Sequence, residues 1–125
     1  MLARISSAML IVVGVIHLLP LPGVLGAGQL ARLYGTVIED PDLIILMRHR
    51  AVMFGLLGAL LVAAAFRAEL RCVAYVAGFV SVVSFLAIAW SVGGYGPQVG
   101  RVVAADVVAL VLLLAAFVID RRVAA

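Results

Sequence analysis

Five ionisable side chains interrupt stretches that are otherwise apolar: His17, Arg48, His49, Arg50 and Asp106. An arginine offers a planar pair of N–H donors to a carboxylate, phosphate or carbonyl. Histidine and aspartate are the groups that general acid–base chemistry uses. The same set can hold an anionic headgroup without reacting it. A metal fits the spacing poorly. Two histidines without a nearby cysteine or paired carboxylate make a weak zinc or haem set, and the single cysteine, Cys72, gives neither a disulfide nor a multi-cysteine site. No glycine-rich phosphate loop, serine-centred elbow, His-Glu metalloprotease motif or paired-cysteine redox motif is present. No catalytic residue, metal ligand or cofactor is therefore assigned.

The elements that carry these residues follow from composition. The chain has 125 residues, 67% hydrophobic and only 12% charged. Soluble domains run near 45–50% apolar and about 25% charged, and a domain this small has too much surface to hide the excess. An ordinary soluble enzyme, a disordered tail and a disulfide scaffold are excluded. All nine basic residues are arginine, which we read as the codon bias of a GC-rich bacterial genome. With no basic run longer than Arg121-Arg122, the net charge of +3 does not point to nucleic acid. Crossing a bilayer takes about 20 apolar residues. Four stretches qualify, at about 5–24, 41–66, 72–92 and 102–119. The expected fold is all-α: one integral membrane domain, residues 1–125, forming a four-helix transmembrane bundle. The first stretch has some features of a secretory signal, but His17, Pro20 and Pro22 suit a retained helix.

The connections carry signals of their own. Residues 23–42 form a long link, and residues 29–34 suit a short amphipathic turn on the membrane surface. Asp40-Pro41 has the form of a helix start, an aspartate cap followed by proline at the first helical position. Residues 67–71 make a tight turn, and the glycine-proline run at 93–98 is expected to be non-helical. Arg4, Arg67, Arg71, Arg121 and Arg122 share the side of the termini, while the other side holds Arg32 and Arg101, with Arg48 and Arg50 at or inside its boundary, and the acidic Glu39, Asp40 and Asp42. The positive-inside rule then puts both termini in the cytoplasm of a bacterium, with the chain multi-pass in the inner membrane.

The ionisable residues gather at the end away from the termini. Asp106 lies five residues after Arg101, about 7.5 Å along a helix. The half near the termini shows no comparable set. At about 100° per residue, Arg48 aligns with Gly55 and Ala59, a small-residue face expected to look inward. Arg50 aligns with Phe54, Leu57 and Leu61, a bulky face expected to meet lipid while the arginine snorkels. Arg48 is thus expected within hydrogen-bonding reach of Asp106, with His17, His49 and Ser84 completing a ligand-binding set. Plainer roles stand beside this one: a structural Arg48–Asp106 pair, packing histidines, serines bonded to backbone carbonyls, and Trp90, Tyr95 and Tyr34 as interfacial aromatics. Two functions lead, with an enzyme as a third reading for which no substrate is apparent. One is a membrane module that binds a lipid, quinone or other amphipathic ligand. The alternative is a non-catalytic accessory or structural subunit of a larger membrane complex, seated through Gly55/Ala59/Ala63 and Ala105/Ala109/Ala116. Membrane lipid, a second copy or a larger complex are the expected partners; nucleic acid is not.

The stretch Leu46-Met47-Arg48-His49-Arg50-Ala51-Val52-Met53-Phe54-Gly55, with Leu33-Tyr34-Gly35 and Gly93-Gly94-Tyr95, resembles a group of small bacterial four-helix membrane proteins over nearly the whole chain. Some of that group bear the label phosphopantetheine adenylyltransferase. Such enzymes are soluble α/β proteins with a His-containing nucleotide motif, and this sequence has neither the strands nor the motif. The helix count and the polar end are also similar to the DoxX-like collection of four-helix proteins. Neither likeness carries over a site residue.

Overall fold

A computed structural model describes residues 1–124, and its regular structure is all helical. The first apolar stretch is α-helical over Leu2–Leu18 (α1). Pro20 and Pro22 have no N–H to continue the ladder, so the chain tightens into a 3-10 turn, Leu21–Leu25, closed by the Gly23 N–H on the Pro20 carbonyl at 2.9 Å. The α-helix therefore ends short of residue 24. The expected amphipathic turn is a two-turn helix, Ala27–Tyr34 (α2), with Leu30 turned inward. It stops at Gly35, whose φ of 68° lets its N–H reach back to the Ala31 carbonyl at 2.8 Å.

Helix α3 spans Pro41–Phe66 and opens as its sequence predicts. The Asp40 carboxylate accepts from the N–H groups of Asp42 (2.9 Å) and Leu43 (3.1 Å). Asp40→Ala is expected to lower stability by about 1 kcal/mol, read as a small drop in the thermal midpoint in detergent; an unchanged midpoint would mean that the cap contributes nothing. A short turn at Ala68–Leu70 leads into α4, Arg71–Val92. Gly93 and Gly94, with φ of 62° and 64°, reverse the chain into α5, Pro97–Ala124. The non-helical loop is shorter than expected, because Pro97 is pre-set for the first helical position. Helix α5 consequently begins at 97 rather than 102.

Helix α1 packs along α3 and α5, and α4 closes the ring against both, so α3 and α5 stand across from one another. One end holds the termini and the α3–α4 turn; the other holds α2 and the α4–α5 loop. Leu10, Val13, Leu61, Val82 and Leu113 form the centre of the core. Without a hydrophobic drive between helices in lipid, close packing must hold them, and small residues permit it. Gly14 and Gly58 meet where α1 crosses α3: a Cβ on Gly58 would sit 2.8 Å from the Gly14 carbonyl oxygen. Ala109 and Ala116 are buried in this same core, and Leu21 covers Gly55. Of the small residues expected to seat a second bundle, only Ala59 is exposed.

The outside of the spanning helices is mostly apolar. Leu56, Val80, Ile88 and Val111 point outward, and Trp90 is 90% exposed. Between 22% and 33% of each spanning segment is buried within the bundle. In water such a surface would drive association. All four long helices have the length and apolarity to cross a bilayer, and the chain reads as a small membrane protein.

Candidate functional site

The end of α1 places His17 at the end of the bundle away from the termini, 1% exposed. Its Nδ1 lies 2.9 Å from the Val13 carbonyl oxygen. A carbonyl only accepts, so this bond assigns the proton to Nδ1 and leaves Nε2 a bare acceptor in the neutral ring. Nε2 is buried and has no hydrogen-bond partner. The neighbouring α5 brings in Asp106, 6% exposed, which makes no side-chain hydrogen bond or ion pair among the described residues. Helix α3 contributes Arg50. Its Nη1 donates to the Tyr34 hydroxyl at 2.7 Å. Its guanidinium lies over the Phe54 ring at 4.5 Å and over Tyr34 at 5.5 Å, both within cation–π range. Helix α2 is what delivers Tyr34 to this position. Together these side chains wall a cleft of about 300 Å³, with Arg32 and Arg101 also on its lining. That volume is at the small end for ligand pockets.

The expected arginine is the wrong one. Arg48 is exposed, and its Nε donates to the Val24 carbonyl at 2.8 Å, away from Asp106. Arg50 is the one inside the cleft. The two lie about 200° apart on α3, so one reversal changes both assignments. Gly58 of α3 meets α1 and Gly55 meets the turn after it, where Arg48 finds the Val24 carbonyl, while Ala59 stays exposed. The bulky face turns towards α4 and α5, where the gap takes large side chains; Leu61 on that face is fully buried. His49 is exposed and outside the cleft lining. Ser84 is exposed as well, and its hydroxyl donates to the Ser81 carbonyl at 3.1 Å, while Ser91 does the same to Ile88 at 2.9 Å. Of the five residues expected to bind a ligand, His17 and Asp106 line the cleft; Arg48, His49 and Ser84 do not.

A second polar cluster occupies the termini end, where none was expected. Arg71 pairs with Asp120 at 2.7 Å. Its other donors reach Ser7 Oγ (2.7 Å), Ser6 Oγ (3.2 Å) and the Ala64 carbonyl (3.3 Å). The Tyr75 hydroxyl donates to Asp120 at 2.7 Å, and Ser7 donates to the Ala65 carbonyl at 2.8 Å. The network joins α1, α3, α4 and α5. Arg71 and Tyr75 are four residues apart, on one helix face, and Asp120 follows the last apolar run. Those spacings carried the signal. An apolar groove of about 580 Å³ runs beside it, walled by Tyr75, Phe79 and Phe117. The polar groups here satisfy one another, so this cluster acts as a structural tie.

No family model, curated protein or solved structure matches the chain. What the cleft can do follows from its donors and acceptors. Among the described residues no three His, Cys, Asp or Glu side chains gather as a metal-ligand set. The cleft offers cationic donors in Arg50, Arg32 and Arg101, two unpartnered acceptors in His17 and Asp106, and apolar walls between.

Proposed function

We propose that this chain is a small multi-pass membrane protein that holds an amphipathic ligand in the cleft opposite its termini. The ligand is a lipid, quinone or similar molecule carrying an anionic or carbonyl group for Arg50. The observation that carries this reading is the buried, unpartnered His17 Nε2 on the wall of a cleft that also holds Arg50 and an unpaired Asp106. A buried polar atom left unsatisfied costs about 1–3 kcal/mol, and a bound ligand offsets that cost. With the arginine-rich termini in the cytoplasm of a bacterial inner membrane, the cleft opens towards the outer leaflet. The resemblance to small bacterial four-helix membrane proteins is compatible with this placement.

Native mass spectrometry after gentle detergent extraction tests the reading. The wild-type protein should keep a non-protein adduct. Arg50→Gln should weaken its retention on the order of tenfold, as expected for losing a charge-assisted hydrogen bond. Arg48→Gln should leave retention near wild type. A wild-type bundle that carries no adduct under the mildest conditions overturns the proposal, as does equal loss in the two variants.

A further inference from the structure

The geometry points to a ligand with two unlike ends: an anion at the mouth of the cleft and a hydroxyl group at its floor. This deepens the ligand-binding reading above and rests on it. At the mouth, Arg32 on α2 and Arg101 on α5 are exposed, and Arg50 lies between them and the interior. Three arginines line the cleft against one carboxylate, that of Asp106. The excess positive charge favours a strongly anionic group such as a phosphate, which arginine recognises through paired N–H donors.

The floor has the opposite need. Asp106 follows Arg101 by five residues, about 7.5 Å deeper along α5. His17 Nε2 is an acceptor without a donor, and the Asp106 carboxylate is a second acceptor without one. Arg50 already gives one N–H to the Tyr34 hydroxyl. A quinone carbonyl would bring an acceptor to acceptors at this floor. A hydroxyl brings the missing hydrogen-bond donor. A neutral quinol would satisfy the floor and leave the arginines at the mouth without a counter-anion. An ammonium would satisfy Asp106 and be repelled by the arginines. A phosphate ester with a free hydroxyl a few bonds away answers both ends, and glycerol phosphate is the simplest case. Its source is either a soluble polyol phosphate or the headgroup of a glycerol-bearing phospholipid.

Binding of three probes to the purified protein separates the ends: glycerol 3-phosphate, propyl phosphate of similar size without hydroxyls, and inorganic phosphate. A site built to pair a hydroxyl discriminates strongly against the analogue that lacks it. Glycerol 3-phosphate should bind about tenfold or more tighter than propyl phosphate. In His17→Phe that ratio should fall towards one while propyl phosphate binds as before, because only the floor has changed. In Arg50→Gln both esters should weaken together. If His17→Phe does not fold, Asp106→Ala reads the same ratio. Nanodiscs containing phosphatidylglycerol or phosphatidic acid supply the lipid arm. Thermal protection by the first lipid over the second, without a response to soluble glycerol 3-phosphate, assigns the site to a headgroup. Equal affinities for the two esters, with no preference between the lipids, overturn the hydroxyl assignment. An adduct retained in native mass spectra would still leave the broader reading standing, and a bare wild-type protein would remove that too.

Discussion

Asp120→Ala is expected to be among the most damaging single changes in the chain, lowering stability by about 2–3 kcal/mol. Breaking a buried pair by removing one partner costs about 3–5 kcal/mol, and the lower figure reflects side chains still 21% and 16% exposed. The loss is large because Arg71 stays behind. Its guanidinium would keep Ser6, Ser7 and the Ala64 carbonyl but lose its counter-charge, and Tyr75 would lose its acceptor. Replacing both partners with apolar side chains, Arg71→Met with Asp120→Leu, should recover part of the loss, since no uncompensated charge then remains. Thermal or denaturant unfolding in detergent micelles reads both. A single variant with an unchanged midpoint, or a double variant no better than the single, would show that the network does not tie the helices.

Gly58→Ala should cost a comparable amount, about 1–3 kcal/mol as in other overpacked contacts. The new methyl would meet the Gly14 carbonyl oxygen at 2.8 Å and Leu18 Cγ at 2.7 Å, so α1 and α3 must separate. Gly55→Ala, one turn earlier, is the control. There the only atom inside 3 Å is Leu21 Cδ1, the far end of a side chain that can rotate away. It should be close to neutral by the same unfolding measurement. Equal effects at both positions would mean that the α1–α3 crossing is looser than its backbone distances imply.

The helices were legible in the sequence because a bilayer demands length and apolarity together. The Asp40-Pro41 start was legible because a cap is a local device. The polar end was legible too, since His17 and Asp106 stand out against apolar neighbours. The face of α3 was not. Helical angles correctly separated Arg48 from Arg50, but both flanks of a bundle helix are covered, one by α1 and the other by α4 and α5. Small residues mark the closest neighbour, and the cleft lies on the other flank. The Arg71 network was hidden for a different reason. Arginines at the ends of spanning segments are expected to meet lipid headgroups and water, so nothing in Arg71 alone shows that it turns inward to Asp120. Ser6 and Ser7, lost in an apolar run, gave no hint of their shared partner.

The two ends of the bundle differ mechanically. At one end Arg71 joins side chains and carbonyls of all four long helices, whereas among the described residues the bonds from Arg48 and Arg50 at the other end tie α3 only to the link between α1 and α3. Ala64, whose carbonyl the Arg71 guanidinium holds, and Arg50 are separated by about 21 Å along α3 at 1.5 Å per residue. A tilt of about 5° about the fixed end moves Arg50 by about 2 Å on that radius. The same tilt would leave the Arg71 end, at the pivot, almost where it is. The Arg71 seam thus keeps the four helices in register at the end that carries the termini, and the cleft lies at the end farthest from that tie.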